Sequence, residues 1–192
     1  MIRRLYNWTL SLAHSPYAIW ALACVAFIES SVFPIPPDLL MIPMIIAAPR
    51  RAFLIAGVAT VASVLGGMLG YGIGMFAFDS IGQPILEALG KTHSMEEFST
   101  RFNDMGFWAV LVAGITPFPY KVITIMSGFT AMPIGTFVVT SILARALRFF
   151  IIATLLWKFG EPIRTFIEKR LGLMFTLFCV VLVGGFFLVK YL

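Results

Sequence analysis

Two stretches of this chain carry no formally charged side chain over lengths that can cross a lipid bilayer, Ala52–Phe78 and Leu171–Val189. A hydrocarbon core about 30 Å thick takes roughly 20 helical residues. No water pairs the backbone there, so a spanning segment is a helix or part of a closed barrel. Barrel strands alternate apolar with polar residues, and these runs do not. The helix remains. Composition agrees: 60% of the 192 residues are hydrophobic and 12% charged, against about a quarter charged in a soluble domain. The expected fold class is an all-α integral membrane protein, a single transmembrane domain with no water-soluble part.

The N-terminal segment 1–14 carries Arg3 and Arg4 and reads as interfacial. Met1–Leu22 has the positive and apolar parts of a signal peptide, but no small-residue cleavage site precedes a soluble region, so it is expected to be retained. Residues 15–49 read as a re-entrant hairpin. Apolar sequence to Ile28 is interrupted by Glu29-Ser-Ser-Val-Phe-Pro-Ile-Pro-Pro-Asp38, and Leu39–Ala48 is apolar again but too short to span. Pro34, Pro36 and Pro37 cannot continue a helix, because each lacks an N–H and clashes with the preceding turn. The span 52–78 follows. Its Gly66, Gly70 and Gly74 are four apart and share a face, which lets another helix backbone approach within the protomer or between protomers of a homo-oligomer.

Segment 79–104 is polar, five acids against two bases, and reads as amphipathic helix at the membrane surface. A second re-entrant hairpin is expected over 106–132, broken at Thr116-Pro-Phe-Pro-Tyr-Lys121 by Pro117 and Pro119. A span over 133–157, a basic loop over 158–170 and a last span over 171–189 complete the chain. Cys24 and Cys179 are too few and isolated for a disulfide framework or metal site. His93 has no second His or Cys near it, so no metal is expected.

The two interruptions share Pro-x-Pro with an ionisable residue four after the first proline, Asp38 in one and Lys121 in the other. Topology extends the parallel. With a cytoplasmic N-terminus, Arg50-Arg51 and the basic loop 158–170 lie inside and the acidic segment 79–104 outside, as the positive-inside rule requires. The net charge of +5 is thus a topology signal rather than a nucleic-acid footprint. Each hairpin-plus-span unit then enters from the opposite face, which is the inverted-repeat plan of secondary transporters, with broken helices meeting near the midplane.

Glu29, Asp38, Lys121, Arg145 and Arg148 all fall in stretches expected at membrane depth. A charge at the bilayer centre costs a few kcal/mol even on lenient scales, so these groups are expected to be paired, hydrated or functional. At about 1.5 Å per residue, Arg145 and Arg148 sit roughly 18–23 Å into a span that starts at Pro133. Arginine keeps its proton, so the two acids are the candidates to release one. The set suits a proton-coupled site that also binds an anionic headgroup. If the acids work by titrating, Glu29→Gln and Asp38→Asn are expected to abolish activity and spare expression.

These residues also carry a resemblance. Phe27-Ile-Glu29 with Phe33-Pro-Ile-Pro-Pro-Asp38, Gly70-Tyr71, and Thr116-Pro-Phe-Pro-Tyr-Lys121 with Gly128 resemble the DedA family, its YqaA-like branch above all. The wider superfamily includes the SNARE-associated Golgi and VTT-domain proteins. The resemblance covers about residues 15–160. It implies a multi-pass protein of the bacterial inner membrane with two re-entrant loops, which moves lipids between leaflets, with undecaprenyl phosphate or phospholipid as substrate and dependence on the proton gradient. It implies that Glu29 and Asp38 match the family's essential acids and that Lys121 stands, shifted by one residue, for the arginine after the second proline loop. The family's other arginine has no counterpart here. Gly114 stands near its position, and Arg145 or Arg148 is the candidate to replace it in space.

The leading expectation is a lipid flippase or scramblase-like transporter with protons and a lipid headgroup as partners, and with no cofactor. A small-ion or drug/proton antiporter would use Glu29 and Asp38 equally well, and a non-transporting assembly protein is a third reading. Enzyme activity is not expected: His14 and His93 are the only histidines, and neither can pair with a serine or with other metal ligands at membrane depth.

Overall fold

The computed structural model describes residues 17–32, 36–88, 92–116 and 118–160. The N-terminal segment with Arg3 and Arg4, Pro34, Pro117, the basic loop beyond Gly160, Cys179 and the last expected span 171–189 lie outside the described residues. What is described is helical throughout, with no strand.

Helix α1, Ala18–Ser31, carries Glu29 in its last turn, so the helix runs past the acid and stops short of the prolines. Helix α2, Asp38–Ala47, starts directly behind Pro37 and places Asp38 in its first turn, where the helix dipole favours an acid. A 3₁₀ turn, Pro49–Arg51, leads into α3, Ala52–Ala77. At about 1.5 Å per residue, its 26 residues reach roughly 39 Å, enough to cross with tilt. The helical path does not end at Phe78. It continues through one π turn, Phe78–Gly82, into α4, Gln83–Ala88; the irregular turn falls at Gly82 and Pro84, the two residues here that least favour a regular helix. The amphipathic α5, Thr92–Asp104, follows.

Helix α6, Gly106–Ile115, ends at Thr116, whose extended backbone (ψ 163°) is the conformation that a following proline imposes. Helix α7, Tyr120–Phe129, starts after Pro119, and α8, Ile134–Phe159, after Pro133. Gly160 closes α8 with φ +49°, a position open to glycine at no steric cost. At ten residues each, α2, α6 and α7 reach only about 15 Å and cannot cross alone. Among the described residues, the two helices long and apolar enough to cross a membrane are the one built on α3 and α8.

These two spans run antiparallel. Phe53 meets Trp157 at 5.9 Å between ring centroids at one end, and Tyr71 meets Phe137 at 5.2 Å towards the other. Around them the contacts fall into two sets: α1 packs on α3 and α6 on α8, while α7 crosses to α3 and α2 to α8. The close approaches use the glycines. A Cβ at Gly66 would fall on the Phe27 carbonyl of α1, and one at Gly74 on the Ile125 carbonyl of α7. Gly70 lies against Thr124, so this glycine face is spent on the chain's own helices.

The buried interior has two apolar layers. One gathers Leu22, Met41, Ile45, Ile55 and Phe149; the other gathers Tyr71, Val110, Tyr120, Met132 and Phe137. The outer faces are apolar as well, with Val61, Leu65 and Leu69 exposed on α3 and Leu143, Leu147 and Ile151 on α8. Apolar surface that extensive has no place against water. Tyr17, Trp20 and Trp157 lie exposed near one end and Trp108 near the other, in the manner of interfacial aromatic belts. The polar groups are kept between the two buried layers.

Candidate functional site

Ser63 and Arg145 each sit eleven residues beyond the start of their span, α3 and α8. Because the spans are antiparallel, these two mid-span residues meet: Arg145 Nε donates to Ser63 Oγ at 2.5 Å. The arginine's Nη2 donates to Glu29 Oε2 at 2.6 Å, in an ion pair whose side chains are 2% and 12% exposed. Ser63 Oγ is 2.6 Å from Ser30 Oγ, and Ser30 in turn donates to the same Glu29 oxygen at 3.2 Å. The guanidinium lies between two rings, 4.6 Å from the centroid of Tyr120 and 4.8 Å from that of Phe149. Tyr120 has its hydroxyl 2.6 Å from Ser141 Oγ. A buried charge is tolerable only when paired and hydrogen-bonded, and Arg145 meets both conditions.

One helical turn further, Arg148 Nη2 donates to Asp38 Oδ2 at 2.5 Å, and Nη1 to the Thr116 carbonyl at 2.7 Å. This pair is more open, with side chains 17% and 19% exposed. It is also incompletely satisfied. Asp38 Oδ1 and Arg148 Nε are buried and have no hydrogen-bond partner among the described residues.

Lys121 takes a different course. Its Nζ donates to the Val32 carbonyl at 3.0 Å, at the C-terminal end of α1, where a cation complements the helix dipole. It forms no ion pair with an acid among the described residues. Thr124, one turn on, ties the same end of α1 to α7 through the Ser30 carbonyl at 3.0 Å. The residues that flank the two proline breaks are thus linked: Val32 to Lys121, and Asp38 to Thr116 through Arg148.

Of the residues singled out in the sequence, Glu29, Asp38, Arg145 and Arg148 are brought together as two pairs, and Lys121 lies apart from both acids. Pro36, Pro37 and Pro119 border the helix starts that present Asp38 and Lys121. Gly114, which the resemblance sets near the family's other arginine, lies against Ala144 and Tyr120, and Tyr120 in turn lies against the Arg145 guanidinium. The reading missed the hydroxyls: Ser30, Ser63, Tyr120, Thr124 and Ser141. A signal for them was present, since each is polar within an otherwise apolar helix and such residues bond across helices.

The family model of the VTT domain matches residues 35–158. An uncharacterized protein of Haemophilus influenzae is 33% identical over 186 residues, which is 97% of this chain and 96% of that one. An uncharacterized protein of Histophilus somni is 39% identical over 168 residues, 85% of this chain and 87% of its own length. No solved structure matches the chain.

Proposed function

Because the chain belongs to the VTT domain family, a membrane-associated and transporter-like one, we propose that it moves a lipid with an anionic headgroup between the leaflets of a bacterial inner membrane. One observation carries this reading: two arginine–carboxylate pairs between two apolar layers, midway along the spans, one built on the buried Arg145 and the other partly open. A fold gains little from such pairs, since buried ion pairs roughly break even against apolar packing. Their retention at membrane depth is therefore best explained by use. Guanidinium groups match phosphate in shape and charge, and the carboxylates are the groups able to exchange protons with a gradient.

The architecture of the proposal is an inverted repeat. Its halves are the hairpin α1–α2 with the span α3 and the hairpin α6–α7 with the span α8, each hairpin re-entering from its own side. The antiparallel spans and the reciprocal packing of α7 on α3 and of α2 on α8 support it. In this orientation the N-terminus and Arg50 are cytoplasmic, and α5 is outside.

Reconstitution tests the reading. Vesicles containing the protein are loaded with labelled polyprenyl phosphate or labelled phospholipid, with and without a proton gradient. The expected result is accelerated exchange of at least one lipid between leaflets. Proton-driven flux of small ions with both lipids unmoved would replace the lipid reading by an ion antiporter.

A further inference from the structure

The two ion pairs are alike in chemistry and differ in completeness. An arginine presents its Nε and Nη2 hydrogens along one edge, a fork that fits two oxygens of a carboxylate or phosphate. In Arg145 that edge is full: Nε holds Ser63 and Nη2 holds Glu29. Its faces are covered by Tyr120 and Phe149, and its side chain is 2% exposed. A ligand could reach it only by taking apart the interior.

In Arg148 the same edge is half used. Nη2 meets one oxygen of Asp38, while Nε has no acceptor and the second oxygen of Asp38 no donor among the described residues. A carboxylate could take both donors, and here it takes one. Leaving a buried donor and acceptor unmatched is unfavourable, so this contact is poorly optimised as a fixed brace. Meanwhile Nη1 is anchored separately, on the Thr116 carbonyl. The guanidinium can thus stay in place while its partner on the other edge changes.

Resting on the lipid-transport reading above, we propose that Asp38 is an internal stand-in for the substrate's phosphate. A lipid phosphate takes the Nε–Nη2 edge of Arg148 and displaces the carboxylate, while the Arg145–Glu29 pair stays closed and only positions the surrounding helices. The charges fit a single incoming anion. Arg145 and Arg148 are matched by Glu29 and Asp38, and Lys121, which is paired with neither acid among the described residues, leaves one positive charge in excess. Asp38 is the first residue of α2, so its displacement also unties that helix from α8.

The exchange makes a prediction opposite in sign to that of a structural pair. With the full-length protein in detergent, binding of farnesyl phosphate, farnesol and inorganic phosphate is measured by titration calorimetry. Farnesyl phosphate is expected to bind and farnesol not. Arg148→Gln weakens farnesyl phosphate by roughly 10- to 100-fold, the loss of hydrogen bonds to a charged group. Asp38→Asn tightens it by roughly tenfold, because the internal competitor no longer holds the arginine. Where Asp38→Asn does not purify as one species, Asp38→Ala serves in its place.

Weaker binding by the Asp38 variants overturns the proposal, and so does equal binding of farnesol or no binding by the wild-type protein. Inorganic phosphate bound as tightly as farnesyl phosphate would assign the edge to a free anion and overturn the lipid assignment. Vesicle transport separates the two claims. The expected binding pattern without lipid movement defeats the transport reading and leaves the exchange standing, while transport with unchanged binding in both variants defeats the exchange alone.

Discussion

Charge alone makes Glu29 and Asp38 equivalent, and burial separates them. Glu29 neutralises an arginine that is 2% exposed, so Glu29→Gln leaves a buried cation unpaired. Breaking such a pair costs about 3–5 kcal/mol. The expectation that neutralising either acid spares the fold is therefore kept for Asp38, whose arginine has a second partner in the Thr116 carbonyl, and revised for Glu29. Glu29→Gln is expected to lower both the protein level in membranes and the thermal unfolding midpoint in detergent. The double variant Glu29→Gln/Arg145→Met should recover most of that loss. Asp38→Asn should reach near-normal levels and still fail to transport, as immunoblotting and a vesicle assay would show. Normal levels for Glu29→Gln would refute the pairing as a structural element. The identity of these charged residues was legible in the sequence, because ionisable groups stand out in apolar segments. Their partners were not. The pairs join residues 116 and 110 positions apart, and nothing local in the sequence sets which cation meets which acid. Lys121 sits too close to the end of α1 to ignore its carbonyls, and Arg148 is the cation that α8 carries to Asp38.

At the scale of elements, the breaks were readable from the prolines and the span on α3 from the length of its uncharged run, since both are local effects, whereas α8 carries two arginines and the run 171–189 lies outside the described residues. Two features were less so. Glu29 lies inside a helix because the chain needs no break until the prolines arrive, and the helix built on α3 continues through a π turn to Ala88 because polarity does not end a helix. The glycines give this scale its test. Gly66 and Gly74 touch backbone carbonyls of α1 and α7, whereas a Cβ at Gly72 would meet nothing within 4 Å. Gly66→Ala or Gly74→Ala should therefore destabilise the protein by about 1–3 kcal/mol or more, the usual scale of overpacking. Gly72→Ala should be neutral or slightly stabilising, since alanine is the better helix former. Melting curves of the three variants decide it. Equal behaviour at all three positions would mean that the α1–α3 and α3–α7 approaches are not as close as described.

For the whole molecule, the antiparallel spans make orientation the measurable quantity. Arg50 and Glu96 are both exposed, Arg50 in the turn that leads into α3 and Glu96 in α5, the helix that follows the end of that path at Ala88. Single cysteines placed at these positions, in a background without Cys24 and Cys179, should react differently with an impermeant reagent. Position 96 is expected to label in intact cells and position 50 only after permeabilisation. Labelling of both from outside would exclude the inverted arrangement. Arg148 adds a mechanical consequence. One guanidinium grips Asp38 beside the first break and Thr116 beside the second. It behaves as a shared latch: any movement that parts the two breaks must first let go of one of them. Two doors hung on one bolt are hard to leave ajar together, and a membrane that must not leak protons is served by that constraint.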